Sequence, residues 1–435
     1  MGAQLKTHVA VIGGGCAGLA AAAALVEQGI AVTLFEASPQ LGGRARSVSW
    51  KGLQLDNGQH ILLGAYSATL RLLRLAGVDE RAALLRLPLQ LSMHGEFELT
   101  ACRWLPAPLH ILAGLLMAKG LSWSERIAAI RFMAWLRLIN FRLPQDQPLS
   151  LLLARKTQPA RLISLLWEPL CLAALNTPLP TASAQIFLNV LRDSFAQAKT
   201  DSDMLLPRQD LSTLLAEPLA NYIQQKGSSI HRHMAVTNLQ QSDTGFHLET
   251  ENGITEFSHV IVAVSPFRLA SICSQLPALS EQTGMTEKLD YQPIYTVYLQ
   301  YPAQVKLDLA MTGLTGGLGQ WVFDRGALYD QPGLLAVVIS AEGAHQQLTQ
   351  EALAIEVGKE LSDQFPHLPQ PLWHKVIAEK RATFSCKASL ARPNQTTAIK
   401  NLYLAGDYTA GDYPATIEGA VRSGVQCANA IANQL

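Results

Sequence analysis

A glycine-rich turn near the N-terminus restricts the fold of this chain more than any other stretch. Residues 8–12, His-Val-Ala-Val-Ile, form a β-branched run of the buried-strand type and pass without a spacer into Gly13-Gly-Gly15-Cys-Ala-Gly18. The spacing is G-x-G-x-x-G. The alanine-rich residues 16–28 predict a helix closed by Gly29 as its C′ residue, and residues 30–35 predict a second strand ending at Glu36. Together these make one βαβ unit. Its chemistry follows from the backbone: Gly13 permits the tight turn, Gly15 lets the main chain approach a pyrophosphate, and Gly18 lets the helix lie close on the strands. The helix N-terminus offers N–H groups and a positive dipole end to phosphate. Glu36 is placed to accept hydrogen bonds from ribose hydroxyls, and an acid there disfavours a 2′-phosphate. The site therefore suits FAD or NAD better than NADP.

The next stretch, Leu41-Gly42-Gly43-Arg44-Ala-Arg46-Ser47, resembles the G-G-R-x-x-S extension of the flavin amine oxidase and carotenoid desaturase superfamily. A second match lies near the C-terminus, where Asn401-Leu-Tyr-Leu-Ala-Gly406-Asp407 is followed by Thr416-Ile-Glu418-Gly419-Ala420. The resemblance implies an α/β fold: a GR2-type, Rossmann-like FAD-binding domain with a mixed helical and antiparallel-sheet substrate domain. It implies non-covalent FAD, held at Gly13, Gly15, Ala17, Gly18, Glu36, Ala37, Gly43, Arg44, Val236, Gly406, Asp407 and Ile417. Asp407 would serve the ribityl and phosphate region, and the Val236 backbone would meet the adenine. Residues 417–431 read as a helix whose N-terminus can face the electron-rich C2 carbonyl edge of a flavin.

The middle of the chain fits the same plan. Residues 211–225 predict a helix, residues 229–233 a short strand, and Glu251-Asn252-Gly253 a hairpin with the Asn-Gly signal of a type I′ turn. Residues 258–264 predict a returning strand that stops at Ser265-Pro266. The FAD domain is then discontinuous, assembled from residues 1–76, 203–266 and 380–435. The substrate domain is the remainder: residues 77–202, helical by pattern, and residues 267–379, whose alternating runs predict an antiparallel sheet.

Lys plus Arg and Asp plus Glu are both 34 among the 435 residues, so the net charge is zero and the electrostatic footprint of a general nucleic-acid binder is missing. Only 16% of residues are charged against 49% hydrophobic, where ordinary soluble domains carry about 25% charged residues. This predicts a large apolar cavity or a membrane-facing surface. The six cysteines are scattered without a C-x-x-C, as expected of reduced thiols with no zinc site. Residues 1–8 lack the charged and apolar regions of an export signal, so a cytoplasmic location is expected. Residues 104–118 contain two prolines and stop at Lys119, short of the roughly 20 residues of a membrane-spanning helix. Residues 104–143 alternate apolar patches with Lys119, Arg126, Arg131, Arg137 and Arg142, which fits either an interfacial membrane anchor or a buried helical cap with snorkelling arginines.

Within the superfamily, a second nucleotide-binding glycine motif is missing, and threonine at 416 cannot form the aromatic wall that amine oxidases commonly place there. The stretches Leu55-Asp56-Asn57-Gly58-Gln59-His60-Ile-Leu-Leu-Gly64-Ala-Tyr66, Leu166-Trp167-Glu168-Pro169-Leu-Cys171, Asn176-Thr177-Pro178, Arg192-Asp193-Ser194-Phe195 and Ser202-Asp203-Met-Leu-Leu-Pro207-Arg208 resemble the squalene-associated branch, the bacterial hydroxysqualene dehydroxylases. That resemblance implies reduction of a thirty-carbon allylic alcohol to squalene in hopanoid biosynthesis. It also implies a long-chain isoprenoid partner, an external electron donor such as an NADPH-derived one, and peripheral contact with the inner face of the cytoplasmic membrane. Association with neighbouring enzymes of the squalene pathway is a further expectation.

His60, Asp56 and Gln59 are the first candidates for catalysis, because their block should lie beside the flavin; Glu168, Arg192, Asp193 and Tyr413 come second. Asp56 is equally suited to a turn before Asn57-Gly58, Glu168-Pro169 to a helix boundary, and Arg192-Asp193 to a structural pair. Trp167, Phe195 and Thr416 are expected along the substrate tunnel. One tunnel serves reduction and desaturation alike, so an isoprenoid or carotenoid desaturase stays open as an alternative. An amine oxidase-like enzyme and a non-enzymatic lipid carrier are the others, the carrier disfavoured by the intact Gly13, Gly15, Gly18, Glu36 and Asp407.

Overall fold

Val9, Val11, Val32, Leu34, Val260 and Val262 are apolar without alternation because the strands that carry them are covered on both faces, as parallel strands are. In the computed structural model, which describes residues 7–195 and 197–435, strand His8–Ile12 pairs in parallel with Ala31–Phe35 on one side and His259–Val262 on the other. Ser229–His231 and Leu402–Leu404 add the two outer strands in parallel. Residues 1–6, the start of the expected FAD unit and most of the stretch that lacks an export signal, lie outside the described residues. Three distant segments thus build one sheet.

Helix Cys16–Glu27 is buried along nearly its whole length, and its run of alanines lets helix Ile417–Ala432 pack directly on it. The closest point is Gly424, where a Cβ would stand 2.1 Å from the carbonyl oxygen of Ala17. Gly18 closes the glycine turn from the other side, since a Cβ there would meet the Gly13 carbonyl oxygen at 1.9 Å. These two contacts set the distance between both helices and the sheet.

The second body is a seven-stranded sheet in the order Trp373–Phe384, Tyr291–Gln300, Leu334–Ser340, Trp321–Asp324, Met311–Gly313, Gln90–Met93, Phe97–Thr100. It is antiparallel except where Gly313 meets Met93. Helix Gln350–Gln364 covers one face, and helices Leu109–Met117, Trp123–Leu138, Glu168–Leu175 and Ala184–Phe195 contribute to the large core cluster on the other. No helix among the described residues is long and apolar enough to cross a membrane.

The structure differs from the sequence-based expectation at several places. Residues 77–202 are not wholly helical: Leu84–Leu87 pairs with Met204–Pro207, and Gln90–Met93 and Phe97–Thr100 form the edge of the large sheet. Only Phe97–Thr100 alternates buried and exposed side chains; Leu84–Leu87 and Gln90–Met93 do not, so a period-two pattern is nearly absent from these four-residue strands. The boundary expected at Lys380 falls inside strand Trp373–Phe384, which runs without a break from the substrate sheet to the cofactor side. The Glu251-Asn252-Gly253 hairpin forms, but positive φ occurs at Gly253 and not at the two loop residues, so the turn is not type I′. Glu168-Pro169 does not end a helix. A π-turn, Ile163–Trp167, widens the backbone ahead of the proline, and Glu168 keeps right-handed helical angles. The same device recurs at Ser212–Ala216 before Glu217-Pro218, inside the helix expected to be continuous over 211–225. A widened turn tolerates the missing proline N–H, so the usual restriction on the preceding residue does not break the helix here.

Gly424→Ala is expected to lower stability by at least about 1–3 kcal/mol, because the new methyl meets backbone that cannot move without parting two helices. Denaturant unfolding followed by tryptophan fluorescence measures this; an unchanged midpoint would show that the interhelical contact is not limiting.

Candidate active site

Two cavities meet at one neck. The first, about 610 Å³, lies over the carboxyl ends of the parallel strands and is lined by Gly13, Gly15, Ala17, Glu36, Ala37, Gly43, Arg44, Val236, Gly406, Asp407 and Ile417. These are the residues expected at the cofactor, apart from Gly18, which sits behind the turn and does not reach the cavity. The backbone at Gly15 faces open space, the nearest atom to a Cβ there being 4.0 Å away, and Gly15 caps helix Cys16–Glu27 with no side chain over its N-terminal N–H groups. That is a cradle for a pyrophosphate. Glu36 is fixed by two backbone N–H donors, Gly14 at 2.6 Å and Ser38 at 2.7 Å, which hold its carboxylate at the end of strand Ala31–Phe35. Arg44 crosses the cavity floor to grip both carboxylate oxygens of Asp407, at 2.7 and 2.8 Å, and donates to the Ala382 carbonyl at 2.7 Å. The donors, the acid and the glycines fit FAD.

The second cavity is lined mainly by aliphatic and aromatic side chains, among them Leu91, Leu172, Phe187, Leu191, Phe195, Trp321 and Phe323. Arg44, His60, Ala382, Ala415, Thr416 and Ile417 line both cavities and form the neck between them. Thr416 caps helix Ile417–Ala432, its hydroxyl accepting from Gly419 N–H at 3.0 Å. Phe195 stands in the wall of the second cavity and of a smaller apolar pocket beyond it. Trp167 lines only that smaller pocket, edge-on to Phe132, with its indole N–H on the Gln158 amide oxygen at 2.9 Å.

His60 stands at the neck. Its Nδ1 lies 2.7 Å from the Gly58 carbonyl oxygen, which can only accept, so Nδ1 carries the proton and Nε2 is left with a lone pair. Burial holds its pKa below the ordinary 6.5, against the opposing pull of the Gly58 carbonyl and Asp56. A neutral imidazole is therefore an acceptor at Nε2, which differs from the proton donor expected from the sequence.

Asp56 does not reach either cavity. It is fully buried, accepts from Leu211 N–H at 2.9 Å and pairs at 3.2 Å with Arg325, itself fully buried. Burial pushes the Asp56 carboxyl up while Arg325 and the Leu211 N–H pull it back. Arg325 also donates to the Gln59 amide oxygen at 2.9 Å, the Gln54 carbonyl at 3.1 Å and the Gln331 amide oxygen at 2.7 Å, with the Tyr329 ring 3.7 Å from the guanidinium carbon. Gln59 lines the second cavity and donates in turn to the Tyr329 hydroxyl at 2.9 Å. The pair ties the loop that ends at His60 to helix Arg325–Tyr329 at the end of strand Trp321–Asp324. Asp56 is a positioning residue, and the catalytic role expected of it from the sequence moves elsewhere.

Of the second group, Glu168 and Arg192 line neither cavity, whereas Asp193 and Tyr413 line the substrate side. The Tyr413 hydroxyl donates to Asp193 at 2.7 Å, and Arg192 Nε holds the same carboxylate at 2.7 Å. Burial, with the neighbouring Asp193 charge, pushes the Tyr413 phenol up, so it stays protonated. Arg325, Tyr329 and Glu379 carry no motif that singles them out in the sequence; Glu379 lines the substrate cavity, as does Tyr66 at the end of the Leu55–Tyr66 stretch, and Glu379 accepts from the Asn57 amide at 3.0 Å.

The model of the family described as flavin containing amine oxidoreductase matches residues 16–432. The chain belongs to this family. It is an FAD-dependent oxidoreductase. It is similar to a hydroxysqualene dehydroxylase of Rhodopseudomonas palustris, 30% identical with 98% of this chain and 99% of the relative covered. A zeta-carotene desaturase of Synechocystis sp. is 25% identical, with 98% of each chain covered. Among solved structures, a redesigned putrescine oxidase shares the fold at a TM-score of 0.75 and 17% identity, covering 99% of this chain and 100% of its own.

Arg325→Met is expected to cost about 3–5 kcal/mol by stranding the Asp56 carboxylate, and Arg325→Met with Asp56→Asn to recover part of that loss. Denaturation midpoints of the holoproteins test this; equal losses in the single and double variants would show that the pair is not coupled.

Proposed function

We propose that this protein reduces hydroxysqualene, a thirty-carbon allylic alcohol, to squalene in bacterial hopanoid biosynthesis. The observation that carries the reading is the neck: an apolar cavity opens onto the cofactor cavity beside polar groups able to handle one hydroxyl. A long isoprenoid gains about 0.8 kcal/mol for each CH₂ removed from water, so an aliphatic cavity suits it and a small polar amine gains nothing there. The similarity to hydroxysqualene dehydroxylases supports the same substrate.

In this reading FAD is held by the cavity-lining residues named above, with Gly18 closing the turn behind them. Bound and reduced, it supplies two electrons as hydride. The carbon–oxygen bond breaks, a carbon–hydrogen bond forms at the same carbon, and the oxygen leaves as water after taking one proton. An external, NADPH-derived reductant restores the electrons.

The chain's own residues manage the oxygen. His60 Nε2 accepts the substrate hydroxyl's hydrogen bond and orients the carbon–oxygen bond at the neck. A proton arriving at Asp193 passes through the Tyr413 hydroxyl to the departing oxygen, with Arg192 holding Asp193 in place. Phe187, Phe195 and Phe323 keep water from the reacting carbon. One observation favours a second reading. A neutral His60 is also the acceptor that an isoprenoid desaturase needs for a proton, and the zeta-carotene desaturase similarity points the same way.

An anaerobic single turnover separates the two. Photoreduced holoenzyme mixed with hydroxysqualene should yield squalene in step with flavin reoxidation; intact alcohol with a flavin that stays reduced, despite demonstrated lipid binding, would overturn the proposal. Tyr413→Phe should lower kcat about 10²–10⁴-fold with FAD content unchanged. The pH profile carries its own sign. Because burial lowers the His60 pKa, activity should be level above pH 6.5 and fall only below it, as the ring takes a proton and loses its acceptor. His60→Gln should remove that acid limb.

A further inference from the structure

Charge is not spread evenly over this neutral chain. Residues 103–161 hold nine Lys and Arg against two Asp and Glu, a net charge of +7, and the remainder holds 25 against 32. This basic segment is also where large apolar side chains stand in solvent: Trp104 is 91% exposed, Met117 77%, Trp123 66% and Leu138 83%.

Helix Trp123–Leu138 shows how the two properties combine. Its exposed stripe runs through Trp123, Ile127, Arg131, Ala134, Arg137 and Leu138 and contains no acid. The helix's one acid, Glu125, is buried and spent on the N-terminal cap, where it accepts from Ser122 N–H at 2.7 Å. A helix that faces water carries mixed charges and few large apolar groups on that side. Here bulky apolar residues alternate with cations, as on a helix lying in a lipid interface.

Neighbouring segments extend the face. Arg126 packs its guanidinium over the Trp123 ring at 4.8 Å and donates to the Leu116 carbonyl at 2.8 Å, joining the helix to the exposed end of Leu109–Met117. Lys156 lies 3.5 Å from the centre of the Trp135 ring. Beneath these helices is the small apolar pocket, lined by Ile111, Leu115 and Met133, whose walls at Leu170 and Phe195 are also walls of the substrate cavity. The basic, apolar face thus lies above a pocket that shares walls with the substrate cavity.

We infer that this face docks on an anionic phospholipid bilayer, its arginines on lipid phosphates and its tryptophans and leucine in the headgroup boundary. The charge decides the partner: a second copy would set this cationic face against itself, whereas an anionic leaflet complements it. The inference concerns the surface and holds whether the isoprenoid is reduced or desaturated.

Sedimentation of the holoenzyme with phosphatidylcholine vesicles, with and without phosphatidylglycerol, tests it. Binding should require the anionic lipid and weaken with added sodium chloride. Arg131→Gln with Arg137→Gln should lower partitioning about 25-fold, near fivefold for each charge. Trp123→Ala with Leu138→Ala should weaken binding at every salt concentration. Both variants change exposed side chains, so FAD content and turnover of detergent-dispersed substrate should be unchanged. Equal, salt-independent binding to neutral vesicles, or no binding to either, would overturn the inference. So would a dimer in light scattering that Trp123→Ala with Leu138→Ala dissociates, since the face would then belong to a second copy.

Discussion

The contact between helix Cys16–Glu27 and helix Ile417–Ala432 governs this architecture, because it brings the two ends of the chain onto one cavity. Gly424 lies on the Ala17 backbone at a distance no side chain would allow. As a result the first turns of both helices, starting after Gly15 and Thr416, face the same space. One supplies bare N–H groups for phosphates and the other helps form the neck. The alanine-rich sequence of the first helix is the means: small side chains allow close approach, and close approach places the cofactor.

The neck then divides the work between polar and apolar surroundings. On the cofactor side, Arg44 and Asp407 neutralise each other across the floor. On the substrate side the walls are mainly hydrocarbon, and polar groups among them are held by neighbours, such as His60 by Gly58, Gln59 by Arg325 and Tyr329, Asp193 by Arg192 and Tyr413, and Glu379 by Asn57. A fixed polar group in a dry cavity acts with little reorganisation when its partner arrives. The Asp56–Arg325 pair serves that rigidity from outside the cavities.

Much of this is legible in the sequence because the cofactor side is built from backbone geometry, which glycines advertise at fixed spacing. The spacing alone places Gly13, Gly15 and Glu36, and the two motifs at the chain ends announce that they meet. The substrate side is different. Arg325 reaches Asp56 across 269 residues, and no local pattern marks such a partner, so Asp56 reads as an acid for catalysis and not as a clasp. Residues 84–100 read as part of the surrounding helices because Pro88 and His94-Gly95 break them into strands of four residues, of which only Phe97–Thr100 alternates in burial. The two Glu-Pro pairs mislead for a physical reason: a π-turn ahead of each removes the clash that normally ends a helix. Composition alone leaves residues 104–143 balanced between anchor and cap, since it does not say which side of a helix faces out.

The central claim is that an isoprenoid alcohol lies in the apolar cavity with its carbon–oxygen bond against the flavin at the neck. Titrating the oxidised holoenzyme with hydroxysqualene while recording the flavin's visible spectrum tests this directly. The account predicts a saturable shift of the flavin bands that Thr416→Trp, filling the neck, abolishes while FAD remains bound. A spectrum unmoved by lipid that demonstrably binds, or a shift that survives a filled neck, would contradict it.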